Sequence, residues 1–533
     1  MNPSFFLNRR QMLLNMTALG VGGAVSAAFP GAGFGQAAPA KGGILSVATS
    51  GDPPNYDIFS NTTGRTLRVV GPCYNALVMV DPKDPSRIVG DLATSWEASQ
   101  DGLAFTFKIV ENAKFHDGKP LTSADVKATF ETIRNPPEGT VSVRKDLFTV
   151  VDAIDTPDSY TVVFRLKRPS AAFLSALANP WCLIAPKHVL DAKGNTKSVV
   201  VGSGPFMLKS ANSGVSVELV RNPNYHVPNR PYLDGITVYV VPDRGTVALY
   251  LKTGQLLIDI DIPPSIASEL QKTAASTVNV LSAVNFNGDS FVMNSKKAPF
   301  NDIRVRKAIA LSTDHADALK VVYNGAGSVT GFLAPGQWAL PANVLAQQPG
   351  YGPNMEARLA EAKQLLKDAG LESGFKTVIT GRKNAGTHEG RVVYLADQFR
   401  KIGIDAKIRL EETAKYLEIM NNREFEVATT IISATADDPD ALFATFHTCN
   451  GAENYAGTCN PRVDELFAQQ SRTLDIQKRR ELVNEMEILA LNEFGYINLY
   501  FKNKFVAVHK RLQGYVIHNE PDNNMRFQEV WLS

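Results

Sequence analysis

The sequence has no excess of charge of either sign. Lys and Arg number 55 against 53 Asp and Glu, a net of +2, which argues against a nucleic-acid partner or an anionic membrane surface. Basic residues are scattered; Arg479 and Arg480 share an amphipathic segment with Glu481 and read as a solvated helix face. Past the first 28 residues no stretch approaches the roughly 20 apolar residues that span a bilayer, and no cysteine near the N-terminal region is placed to take a lipid, so no membrane anchor is expected. The eight histidines are dispersed, without the i, i+4 spacing or CxxC pairs of a zinc site, and neither a metal nor a cofactor is expected. There is no GxSxG elbow and no GxxxxGK[ST] loop, since the glycines of 31–35 belong to the leader. A triad is known by geometry rather than order, so a secreted hydrolase stays open as an alternative.

What is present begins with an address. Residues 1–11 carry only positive charge, 12–28 are apolar and rich in Gly and Ala, and small residues surround Gly35-Gln36-Ala37, which reads as a signal peptide over 1–37. Asn8-Arg9-Arg10-Gln11-Met12-Leu13-Leu14 resembles a twin-arginine export motif; an ordinary secretory signal is the other reading, and both lead out of the cytoplasm. At 533 residues the chain exceeds what one core serves, and two or three lobes are expected.

Hydrophobic periodicity then reads as α/β. Phe105, Phe107 and Ile109 alternate with polar residues as in a half-buried strand. Thr122-Ser123-Ala124-Asp125 reads as a capping box opening a helix striped by Val126, Phe130 and Ile133. Further strands are predicted at 44–48, 161–166, 215–220 and 236–241, with turns at 155–158 and 222–224. Leu359, Ala362, Leu366 and Ala369 make a helix closed by Gly370; Val392, Leu395, Phe399 and Ile402 make another closed by Gly403. Strands at 404–410 and 425–432, helices over 463–472 and 476–493, and a strand at 497–501 complete the pattern.

Of the four cysteines, Cys449 and Cys459 bracket a polar, Gly-containing loop and are expected to form a disulfide. The competing metal reading has only His447 nearby. Cys73 and Cys182 are left open, because separation in sequence says nothing of proximity.

Several segments, in order, resemble the extracytoplasmic solute-binding proteins of family 5, the peptide, nickel and related receptors of ABC importers. They are Gly90-Asp91-Leu92-Ala93-Thr94-Ser95-Trp96-Glu97, Lys114-Phe115-His116-Asp117-Gly118-Lys119-Pro120-Leu121-Thr122, Gly202-Ser203-Gly204-Pro205-Phe206, Arg221-Asn222-Pro223-Asn224-Tyr225, Pro299-Phe300-Asn301-Asp302-Ile303-Arg304 and Cys459-Asn460-Pro461-Arg462-Val463-Asp464. Physically these residues turn and cap the chain: His116 reads as a satisfied structural residue, and Asp302 as a helix N-cap. The resemblance implies a periplasmic-binding-protein type II-like fold, two α/β lobes around a hinge and cleft. The first lobe would comprise 41–79, 201–284 and 506–533, an inserted domain 80–200, and the second lobe 285–505. It implies a periplasmic, monomeric receptor rather than an enzyme, which closes on a small-molecule or oligopeptide ligand and passes it to the importer's permease subunits.

In dipeptide-binding relatives an arginine before the helix ending Lys-Ile-Gly pairs with the ligand carboxylate. Counting back from Lys401-Ile402-Gly403 puts Arg382 there, with Asn384 beside it; a guanidinium's planar fork suits a carboxylate. The relatives' aspartate that holds the ligand amine stands three positions before the first Asp of an Asp-Pro-Asp turn. Here that turn is Asp438-Pro439-Asp440, the equivalent position is Thr435, and Asp437 is the nearest substitute. Asn61, Thr62 and Thr63 fall where the family's first-lobe ligand loop lies, and Trp338 is a further expected contact, as a stacking wall or packed beneath a loop. With the amine anchor displaced, a peptide-like solute is the leading cargo; a chelated metal, an opine or an oligosaccharide remain as alternatives.

Overall fold

The computed structural model describes residues 39–138, 141–383, 387–434 and 437–533; the expected signal (1–37), Asn384 and Thr435 lie outside the described residues. Local signals set most element ends. The helix Ser123–Arg134 opens on its capping box, the Asp125 carboxylate accepting the Thr122 N–H at 2.8 Å. Helices Met355–Asp368 and His388–Arg400 are followed by Gly370 and Gly403 at φ +76° and +85°, a left-handed backbone that costs glycine nothing. One expected turn is a strand instead: 155–158 closes the strand Val151–Asp158. That strand is the edge of its sheet, where Pro157 need donate no hydrogen bond.

Eleven described strands form one sheet, and its centre is made by its two longest members, Val278–Met293 and Tyr496–His509. These run antiparallel and serve both halves. On one side Tyr496–His509 pairs with Ile258–Ile262, and beyond it follow Ile44–Thr49, Gly235–Val240, Ser216–Arg221 and Phe206–Asn212. On the other, Val278–Met293 pairs with Val427–Ser433, followed by Phe375–Arg382 and Ile404–Glu411. The central ladder breaks twice, narrowly between Asp289 and Ser290 and more widely just before, between Val284 and Gly288. Val284 lies opposite Asn503, but Gly288 lies opposite Phe501, so residues 285–287 bulge against Lys502 alone. A bulge of this kind bends and twists a strand pair. The expected boundaries at 284 and 505 fall inside these two continuous strands.

Residues 93–166 build a separate four-stranded antiparallel sheet, with Phe130 set edge-on to Phe164 at 5.2 Å between ring centroids. Its apolar face merges with that of the first-half strands: Phe107, Phe130 and Phe164 belong to the same buried cluster as Leu45, Val47, Ile236 and Val238. The second half has two clusters, one on each sheet face. Phe291 and Met293 enter one and Val292 the other, the period-2 alternation of a strand buried on both sides. The Ala171 N–H donates to the Ser471 carbonyl at 2.9 Å, tying the insertion to the second half. Among the described residues no helix is long and apolar enough to cross a membrane.

Candidate ligand-binding cleft

A cavity of about 330 Å³ opens beside the wider break in the central ladder. Phe286, from the bulge itself, lines it. The remaining walls come from the hairpin at 80–88, the end of the helix Phe173–Leu177, the turn Pro335-Gly336-Gln337, Asp437, and the C-terminal stretch 518–523. Both halves of the sheet and the insertion therefore contribute, as a site that responds to relative lobe motion requires.

Asp437 carries the least compensated charge on this wall. The protein around it and the neighbouring Asp438 carboxylate push its carboxyl up to about 6, although its surface stays open to water. No ion pair forms with Asp437 among the described residues: Arg87, which lines the same cavity, faces Asp81 at 3.9 Å, and Arg479 is already spent. Arg479 donates to both oxygens of Asp438 at 2.9 and 2.6 Å and to Asp440 at 3.2 Å. A Cβ at Gly336 would stand 3.4 Å from an Asp437 carboxylate oxygen, so the glycine leaves that oxygen uncovered. On the C-terminal wall, burial raises Glu520 despite Lys504 at 3.5 Å, and burial lowers His518, which stays neutral.

Arg382 ends the strand Phe375–Arg382, opposite Glu411, and is half-buried. It does not line the cavity described above. Its Nε has no partner among the described residues, and it belongs to a basic cluster. Arg391, fully buried, donates to the Ser290 carbonyl at 2.7 Å and to Thr430. Asp289 receives Lys502 at 2.8 Å, Thr387, and Arg391 at 3.8 Å. Burial pushes Asp289 up, but Arg391 and Lys502 outweigh it and hold its carboxyl below the ordinary range. Burial first, then Arg391 and Arg382, press His388 down to about 3, so it stays neutral. Arg391 and Lys502 at Asp289, with Arg382 acting on the same His388, outnumber the one carboxylate and leave positive potential here, suited to an anionic group.

The other expected contacts sit elsewhere. Trp338 is not a cleft wall: it is 2 % exposed, its Nε1 donates to the Asp437 carbonyl at 3.0 Å, and Arg479 lies over its ring at 4.7 Å. Its contribution is to hold the Asp437 backbone. The Asn61 side-chain amide is spent on Asn55 at 2.7 Å and on the Asp57 carbonyl at 2.9 Å, Thr63 caps the helix Gly64–Val70, and Thr62 is exposed; none of the three lines the cavity. Cys449 and Cys459 are joined in a disulfide, whereas Cys73 and Cys182 are free and buried.

Arg479 overturns the expected solvated face. It is 3 % exposed, because it shares the buried side of the helix Ile476–Leu491 with Val483, Met486, Glu487 and Ala490. That 3.6-residue spacing was the available signal. Glu487 was missed altogether: it accepts from the Phe332 and Leu333 N–H groups at 2.6 and 3.2 Å, anchoring the chain that leads to Pro335, and burial pushes it up to about 7. The quoted motifs brace one another instead of touching the cleft. His116 accepts from the Gly202 N–H at 3.3 Å and donates to the Gly204 carbonyl at 3.2 Å, while a Cβ at Gly202 would come within 1.9 Å of the Cys73 carbonyl oxygen.

Comparison with known proteins bears on the fold. Residues 87–454 match the model of the bacterial extracellular solute-binding proteins, family 5 Middle. The probable D,D-dipeptide-binding periplasmic protein DdpA of Escherichia coli (strain K12) is 28% identical over 89% of this chain and 91% of its own. Among solved structures, the ABC transporter-associated periplasmic binding protein DppA from Helicobacter pylori, in complex with the peptide STSA, aligns at a TM-score of 0.73 with 25% identity over 92% of this chain and 98% of that one. The oligopeptide-binding protein AppA from Bacillus subtilis, in complex with a nonapeptide, aligns at 0.73 with 25% identity over 93% and 100%. The two-lobed α/β architecture is that of these periplasmic binding proteins. The chain belongs to the bacterial extracellular solute-binding proteins of family 5.

Proposed function

We propose that this protein is the periplasmic receptor of an ABC importer, and that it captures a peptide or peptide-like solute by its ammonium group at Asp437 and its carboxylate at Arg382. The observation that carries this reading is a carboxylate on the cleft wall with no counter-ion among the described residues, uncovered by Gly336. An ammonium supplies the missing charge. Arg382, whose Nε has no partner among the described residues and which sits in a basic cluster, supplies the complementary end, and the peptide complexes of relatives support the same class of cargo. The bulged central ladder is the place where closing would bend the molecule, and a ligand drives closure only through its extra affinity for the closed form. Asn384 and Thr435 stay with the proposal as neighbours of these two anchors. The protein acts as a soluble monomer, delivers its cargo to the permease subunits, and turns nothing over.

Thermal-shift and calorimetric titration with peptides of two to nine residues tests this. Binding should be stoichiometric, raise the melting temperature and change tryptophan fluorescence, with Arg382→Ala weakening affinity about tenfold or more, as loss of a charged hydrogen bond does. A response to sugars or nickel chelates with none to any peptide would sink the reading.

A further inference from the structure

A second cavity, of about 250 Å³, lies where the insertion faces the second lobe. It shares Ser175 and Asn179 with the first. The same strip of second-lobe chain continues from one to the other: Asp437 lines the first, Asp438, Asp440 and Ala441 the second. Their chemistry differs. Where the first presents Asp437, Glu520, Asn519 and Gln337, the second presents Leu147, Val150, Phe173, Ala176, Ala441 and Phe467. Its two lobe-side carboxylates are already satisfied, Asp438 by Arg479 and Asp440 by Arg479, Gln470 and Ser471. Asp146 and Arg168, its other charged residues, are exposed. At 250 Å³ it falls short of the roughly 300–1,000 Å³ that a whole drug-sized ligand needs, yet it has room for a side chain.

We propose that this second cavity is an apolar subsite of the same cleft, receiving a hydrophobic side chain of the solute whose ammonium group sits at Asp437. The proposal rests on the reading of the cleft given above and adds the class of cargo: a peptide with a large apolar residue rather than a small or fully polar one. Because its walls come from two bodies, the subsite is complete only when the insertion and the second lobe face each other. The apolar contact then counts toward the closed form alone.

Calorimetry with tetra-alanine, and with four peptides that each carry leucine at one position, tests it. In the unmodified protein, leucine at one position should tighten binding roughly tenfold to a hundredfold, the factor implied by burying such a side chain. Ala441→Trp, which fills the cavity, and Phe467→Asp, which charges it, should each erase that gain and leave tetra-alanine binding unchanged. Circular dichroism identifies a variant that fails to fold, and the other then decides. If leucine gains nothing at any position, or its gain survives in the folded variants, or these variants lose tetra-alanine as well, the subsite is refuted while the cleft stands. If none of the five peptides binds the unmodified protein, the cleft reading falls and the subsite with it.

Discussion

Replacing Arg479 by methionine distinguishes a solvated arginine from one that holds the cleft wall. An exposed arginine can be changed for about 0.5 kcal/mol or less. Arg479 instead makes a two-pronged pair with Asp438 at 2.9 and 2.6 Å, with side-chain exposures of 4% and 6%, and also reaches Asp440 at 3.2 Å and the Gln470 side-chain oxygen Oε1 at 3.0 Å. Methionine keeps much of the stem's packing against Trp338 but strands the Asp438 charge. Removing one partner of such a buried pair costs about 3–5 kcal/mol, a large part of the roughly 5–15 kcal/mol that a folded domain has in total. Urea unfolding followed by tryptophan fluorescence reads the loss. The double change Asp438→Asn with Arg479→Met should recover at least half of it, since asparagine still caps the helix Pro439–Phe446 and the one carboxylate that loses its cation, Asp440, keeps its hydrogen bonds from Gln470 and Ser471. A single-variant loss below about 1 kcal/mol, or a double variant as unstable as the sum of its parts, would refute the reasoning.

Peptide affinity should rise with pH through about 6, because the free Asp437 carboxyl, pushed up to about 6, must lose its proton before it can pair with an ammonium group; calorimetry between pH 4.5 and 7.5 checks this, and Asp437→Asn should flatten the profile over that window. Reducing the Cys449–Cys459 disulfide, or changing both residues to serine, should lower stability by about 3 kcal/mol on a chain-entropy argument. Its measure is the shift in urea midpoint with and without reductant, and the double-serine variant should show no such shift.

What the sequence determined by itself was local. The capping box at Thr122, the left-handed glycines after two helices and the Asp302 cap of the helix Ile303–Ser312 follow from hydrogen bonds and sterics within a few residues. The period-2 and 3.6-residue stripes indicated which faces are buried, and the ordered motifs pointed to the family. Tertiary structure decided what depended on distant partners. Arg479 meets Asp438 across 41 residues, and Lys502 meets Asp289 across 213; no spacing rule reaches that far, so an arginine that read as surface became a buried prop, and the basic cluster went unread. Pro157 lies in a strand because that strand is an edge, and Trp338 braces Asp437 because the chain folds over it. The cleft is likewise a product of the whole fold. Its walls come from stretches at residues 80–88, 175–179, 286, 335–337, 437 and 518–523, brought together by the two long central strands, and only their juxtaposition sets Asp437 there with no ion pair among the described residues.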